Sequence, residues 1–434
     1  MRKLIHICLL LLLYTTLHSA IRVSYFSLPN GLTVLLSPND KTNSVCVLTY
    51  HKNGVINDPS EIRGASYLYQ SLMFLETDNL SLPYERVRFI MKNGGRSSGK
   101  VNYDNSVFYQ VVPESDLNYA LWLESERLQK LKLTDTKIIG QRKKVYDRIY
   151  SFTNRSIQFR SNEWVRKELF RDSDYKTPLH GDIEKLNTFD TGKIKRIYRY
   201  FSNPSNIILV ISGKFDEEGI KEKVERYFGG LESSSTPVSN PVAVPITEGY
   251  KYVNWMREVI PENFILIGLR APSKLSLDYT YFKLLVYYLV DERLSKLNRI
   301  FKSNLKMDVN ISYDLSDNIG ANSLIIKITS ARRAELERVR FYLRRLFDML
   351  MTDRLTTSEL KSLKSLMEID FLKSLRKPEK MSLILAENYH MSGNLDYGNM
   401  YLKRVKKINS FDIVRISKKY LRKENMVILN VFSK

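Results

Sequence analysis

Beyond its first twenty residues the chain carries three histidines, His51, His180 and His390. Imidazole is the side chain that most readily ligates zinc or moves a proton near neutral pH, and zinc sites draw several such groups at short, recognisable spacings. No two of these histidines stand at such a spacing, so each reads as an ordinary structural or surface residue. Ser71 offers a hydroxyl, but a serine becomes a nucleophile only when a neighbouring base takes its proton, and no histidine lies at a telling distance from it. Cys46 is the only cysteine past the N-terminal segment, so no intrachain disulfide can form there. Tyr67, Tyr69 and Tyr103 read as packing residues, and Gly94-Gly95 as a turn.

The elements that must position these groups follow from composition and pattern. At 434 residues with 43% apolar content the chain is long enough for two cored domains, because single cores rarely grow past roughly 250–300 residues. Met1-Arg2-Lys3, an apolar block from Leu4 to Tyr14 and small or polar residues around Ser19 and Ala20 have the layout of a secretory signal peptide. The block is shorter than the roughly 20 residues a membrane helix needs, and no later segment is apolar enough to cross a bilayer. Secretion, into a bacterial periplasm, is the expectation. The net charge of +21 becomes +19 without Arg2 and Lys3. It is spread along the chain as solvated helix faces, which argues against nucleic acid as a partner. SSSTPVSNPVAVP, Ser233–Pro245, has no helical period and reads as a linker between two halves. Strands are expected over Val23–Ser27, Thr33–Ser37, Ser44–Tyr50, Ser106–Val112 and Asn206–Ser212 in the first half, and over Phe264–Leu269, Ser323–Ile328 and Met426–Val431 in the second. Helices are expected over Ser66–Leu75, Pro83–Met91, Glu114–Lys130 and Tyr279–Asn298, among others.

GASYLYQSLMF, Gly64–Phe74, resembles the helix that carries the inverted zinc motif H-x-x-E-H in metallopeptidases of the insulinase, pitrilysin and mitochondrial processing peptidase family. Residues at i, i+3 and i+4 share one helical face, so two imidazoles hold the metal while the carboxylate polarises its water. Tyr67, Gln70 and Ser71 occupy those positions here. The family's third ligand, a glutamate on a later helix, falls on Arg148 within QRKKVYDR, and its supporting carboxylate falls on Gln141. A guanidinium stays charged and has no lone pair to give. LPNGLTV, Leu28–Val34, resembles the family's opening strand, and Phe201–Leu231 its domain-ending pattern. Gly94-Gly95 through Tyr109 resembles the segment where a glycine pair precedes the edge strand that grips substrate; Ser98-Gly99 stands where members commonly have Asn-Ala. In the second domain Arg299 falls near a substrate-holding arginine, but the residue seven on is Lys306 where the family has tyrosine.

The resemblance implies an α+β fold of two tandem homologous domains, each a mostly antiparallel sheet covered by helices. Its bounds would be a signal peptide over 1–20, an N-terminal peptidase-like domain over 21–232, a linker over 233–246 and a C-terminal peptidase-like domain over 247–434. It further implies no catalytic residue and no cofactor in this chain, with zinc only in a partner subunit. Ser98, Gly99 and Arg299 are the candidates for contact with a peptide substrate. The partner would be a catalytic zinc-peptidase homologue in a heterodimer. The alternative is a structural scaffold, like the core proteins of respiratory complexes. An active metalloendopeptidase ranks third, because every ligand position is substituted.

Overall fold

A computed structural model describes residues 21–433 except Pro83, Asn187, 234–241, 247–248 and 258–259. The expected signal peptide and most of the expected linker lie outside the described residues. The chain forms an α+β fold with two mainly antiparallel sheets, and each sheet is covered by helices. The first contains β1 (Ser24–Ser27), β2 (Thr33–Pro38), β3 (Ser44–His51), β4 (Arg96–Val101), β5 (Ser106–Pro113) and β6 (Ile207–Gly213), in the order β1-β2-β6-β3-β5-β4. The second contains β7 (Lys251–Arg257), β8 (Asn263–Ala271), β9 (Asn310–Leu315), β10 (Asn322–Ser330) and β11 (Met426–Ser433), in the order β7-β11-β8-β10-β9. The pairings repeat: β2 with β6 and β7 with β11 are parallel, and the three following pairs in each sheet are antiparallel. Apart from the β1 hairpin, the two halves share one topology.

The central strands β3, β6, β8 and β11 are apolar on both faces because helices cover both. On β3, Val45 and Val47 enter the core beneath the helix Ala65–Leu72, while Cys46, Leu48 and Tyr50 face the other way. That second face is covered by Met381, Leu385 and Ala386 of the helix Pro378–Ser392, which belongs to the second half. The reciprocal arrangement holds on the other side. Val165 and Leu169 of the helix Ile157–Leu169, from the first half, pack on Phe264, Leu266, Ile325 and Leu429 of the second sheet. Gly268 permits this approach, since a Cβ there would run into the Val165 side chain. Polar contacts seal both seams. Ser212 Oγ lies 2.7 Å from Ser382 Oγ, Tyr50 Oη 3.0 Å from His390 Nδ1, and Arg270 Nη1 donates to the Leu169 carbonyl at 3.0 Å.

Two expectations need correction. The helix expected over Tyr279–Asn298 ends at Val290. Asp291 turns extended there, and its carboxylate accepts from the Arg293 backbone N–H at 3.1 Å and from Arg293 Nε at 2.9 Å, a local alternative that outcompetes the helical ladder. A short turn at Lys296–Asn298 and a π-helical turn at Arg299–Asn304 follow. The strands β7 and β9 were not expected from pattern, because they are edges whose exposed residues break the apolar run.

The interlocked helices should make the two halves unfold as one cooperative unit. Leu385→Ala should lower stability by about 2–4 kcal/mol while unfolding remains a single calorimetric transition. Two separate transitions in the wild-type chain would contradict the interlock.

Candidate functional site

The helix Ala65–Leu72 is fixed at its start by a buried carboxylate. Asp58 accepts from the Gly64 N–H at 2.8 Å, the Ser66 N–H at 3.1 Å and Ser66 Oγ at 2.5 Å, satisfying donors that a helix start leaves unpaired. Burial nevertheless pushes the Asp58 carboxyl up to about 6. Gly64, at φ +106°, crosses the backbone of Gly181 so closely that a Cβ on Gly64 would sit 2.5 Å from the His180 carbonyl oxygen. Tyr69 anchors the inner face, edge-to-face with Phe201 at 4.9 Å between ring centroids.

The three motif positions face the edge of the first sheet and the later helix Asp135–Arg155. Tyr67 is half-buried against the core. Ser71 Oγ turns back and donates to the Leu68 carbonyl of its own helix at 2.8 Å. Gln70 clamps β4: its Nε2 donates to the Gly99 carbonyl at 2.8 Å and its Oε1 accepts from the Val101 N–H at 3.3 Å. A carboxamide can do both at once; an ionised carboxylate accepts only and cannot bond a carbonyl oxygen. Gly99 lies flat beneath Phe108 and Phe74, where a Cβ would come 2.5 Å from Phe108 Cδ1. Ser98 faces the opposite side and lines a cavity of about 580 Å³ between the two halves, together with Lys100, Asp314, Asp317 and Glu387.

On the later helix, Gln141 is buried and its Nε2 donates to the Ser71 carbonyl at 3.4 Å, whereas Arg148 is exposed. Arg299 is exposed too, in a recess with Tyr288, Lys296, Thr356 and Glu359, all from the second half. The structure therefore brings Tyr67, Gln70, Ser71 and Gln141 together with Gly99, and gives Arg299 separate surroundings. The histidines stay apart. His51 has Nδ1 2.8 Å from the Phe201 carbonyl, His390 meets Tyr50, and His180 stacks on Phe159 at 5.9 Å. Burial holds His51 and His390 neutral, down at about 3 and about 4. Among the described residues no three His, Cys, Asp or Glu side chains lie close enough to share a metal. Phenol, carboxamide, hydroxyl and guanidinium do not make the nitrogen-and-carboxylate donor set of a catalytic zinc site, so the residues present do not fit that metal.

The family assignment rests on this frame together with two family models. The model described as "Insulinase (Peptidase family M16)" matches residues 33–183, and "Peptidase M16 inactive domain" matches residues 188–367. The chain belongs to the M16, or insulinase, peptidase family. Zinc protease PqqE of Helicobacter pylori is 19% identical over 91% of this chain and 89% of its own length. The mitochondrial-processing peptidase subunit beta of Saccharomyces cerevisiae is 22% identical over 58% of this chain and 54% of its own length. A protease structure from Helicobacter pylori superposes with a TM-score of 0.84 at 17% identity, covering 95% of this chain and 99% of that one. The periplasmic protease PqqL of Escherichia coli gives 0.75 at 12% identity, covering 94% of this chain and 47% of that one.

Sequence reading did not reveal the charged cluster beneath β3 and β5. Glu124 and Arg127 are ion-paired and fully buried, with Gln110 Nε2 donating to Glu124 Oε1 at 2.8 Å and Arg127 Nη2 to Thr49 Oγ1 at 3.1 Å. The spacing of Glu124 and Arg127 on one helix was the available signal, but an i,i+3 pair normally marks a solvated face.

Two predictions follow from the site. In Gln70→Glu the carboxylate would face the Gly99 carbonyl, so its folded pKa should rise above the ordinary value of about 4.3. The variant should be about 1–3 kcal/mol less stable than wild type at pH 7, a deficit that shrinks as pH falls and the acid becomes a donor. Urea unfolding of both proteins at pH 7 and pH 4.5 checks it, and an equal deficit at both would contradict the clamp. The second concerns His51 and His390. The unfolded chain takes up protons on them below about pH 6.5 while the folded chain does not, so they lower stability as pH falls toward about 4. Asp58 acts in the opposite sense, losing stability as pH rises from its unfolded value through about 6. Melting temperatures of His51→Leu should therefore fall less between pH 7 and pH 5 than those of wild type.

Proposed function

We propose that this chain is a non-catalytic M16 subunit that pairs with a zinc-bearing homologue and forms one wall of its substrate chamber. The carrying observation is the Gln70 clamp. The position that would activate water is occupied by a carboxamide whose two ends both bond the β4 backbone. Its donors Tyr67, Ser71 and Arg148 leave no set that could hold zinc, and the fold around them is kept whole. An intact scaffold with an emptied donor set suits enclosure and stability better than turnover.

The kinship supports a two-unit assembly. The chain matches about half of the length of PqqL, whose separately solved first half also superposes on it with a TM-score of 0.72. The yeast relative is named as a subunit. Zinc, in this reading, belongs to the partner, and the peptide passes between the two chains. We place the pair outside the cytoplasm because of the signal-like start at Arg2-Lys3 and Leu4–Tyr14. No helix among the described residues is long and apolar enough to cross a membrane.

The test is to express an M16 homologue with intact H-x-x-E-H with and without this chain. Co-elution at the size of a heterodimer at moderate salt, together with a raised peptidase rate, is expected. Unchanged activity with no complex on gel filtration would overturn the subunit reading and favour the scaffold.

A further inference from the structure

Between the helix Arg333–Leu350 and the strands β8 and β11 lies a cavity of about 380 Å³. Its inner wall is formed by Ile265, Ile267, Leu343, Phe347, Met426 and Ile428, all of them buried. Packed cores leave few voids larger than a water molecule, and this one reaches the roughly 300–1,000 Å³ range of small-molecule pockets.

The mouth of the cavity is cationic. Arg340 and Arg344 stand one turn apart on the helix, and Lys423 follows the last helix. None of the three has a carboxylate partner among the described residues. Arg340 Nη1 donates to Tyr252 Oη at 2.5 Å, Lys423 lies over the Tyr250 ring at 4.6 Å, and Arg344 makes no hydrogen bond or ion pair there. The acidic groups at the rim do not cancel them. Glu337 pairs with Arg333 at 3.5 Å and Asp348 stands one turn beyond Arg344, and the three cations outnumber these two carboxylates at the rim.

We propose that this cavity binds a medium-chain aliphatic carboxylate, with its hydrocarbon inside and its head group at Arg340, Arg344 and Lys423. A planar guanidinium matches a carboxylate in charge and shape. The apolar wall rewards chain length, about fourfold in affinity per buried methylene. A cationic or headless amphiphile would leave the three cations at the mouth without a counter-charge.

The full-length chain is titrated calorimetrically with dodecanoate below its micellar concentration, alongside octanoate, dodecyltrimethylammonium and phosphatidylglycerol vesicles. One saturable site for dodecanoate, weaker binding of octanoate by about two orders of magnitude and none for the cation are expected. Arg344→Ala should weaken dodecanoate binding about tenfold, and Leu343→Trp should abolish it by filling the cavity. Should Leu343→Trp fail to fold, Ile267→Phe replaces it. The proposal is overturned by absence of a saturable site, by equal binding of anion and cation, by undiminished binding in the folded cavity-filling variant, or by capture on vesicles without binding of the free acid.

Discussion

The exchange of helices between the halves is the constraint on which the rest of the structure depends. The helices Ile157–Leu169 and Pro378–Ser392 each leave their own half to cover the far face of the other sheet. Without that cover, Cys46, Leu48, Tyr50 and Val210 on one side, and Leu266 and Leu429 on the other, would face water. Each such leucine or valine is worth about 1.5–3 kcal/mol when buried, so uncovering either sheet would remove a large part of what holds it folded. The same exchange explains why polar groups can be buried at the seam. Buried Asp104 accepts from the Ile319 N–H at 2.8 Å and from Tyr175, while the buried Lys274 side chain reaches Glu387 within the seam and the exposed Asp317 at its rim, at 2.8 Å each. Lys274 holds the Asp317 carboxyl below the ordinary carboxylate range, whereas burial dominates at Glu387 and raises it.

That rigidity sets what the motif helix can do. Asp58 fixes its start, Gly64 presses it against the His180 segment, and Gln70 joins it to β4. In a metallopeptidase the same face must present lone pairs to a cation. Here it presents a phenol, a hydroxyl bonded to its own helix and an amide bonded to an edge strand. The edge groups at Gly99 and Val101, which an added peptide strand would otherwise engage, are taken by the chain's own side chain. Ser98 remains directed into the space between the halves, where its neighbours are charged.

Much of this was legible in the sequence, and the reasons are physical. The central strands β3, β6, β8 and β11 are buried on both faces, so their apolar runs stand out. The motif frame from Gly64 to Phe74 was readable because helical spacing fixes which residues share a face. The edge strands β7 and β9 were not readable, because polar residues such as Asn254, Ser312 and Asp314 interrupt their pattern. The break at Asp291 depends on Arg293 competing with the helix locally. Long-range facts lay beyond any local signal: nothing within Pro378–Ser392 says that it covers the first sheet, and nothing beside Gln70 names Gly99 as its partner 29 residues away.

The central claim is that the donor set of the family's metal site is gone from this chain, and its most direct measurement is zinc stoichiometry. The chain, purified without chelator from zinc-supplemented cells, is assayed by elemental analysis and then titrated with zinc calorimetrically. Far less than one tightly held zinc per chain and no saturable site at neutral pH are expected. About one chelator-removable zinc per chain, lost when Tyr67 and Ser71 are replaced by alanine, would contradict it.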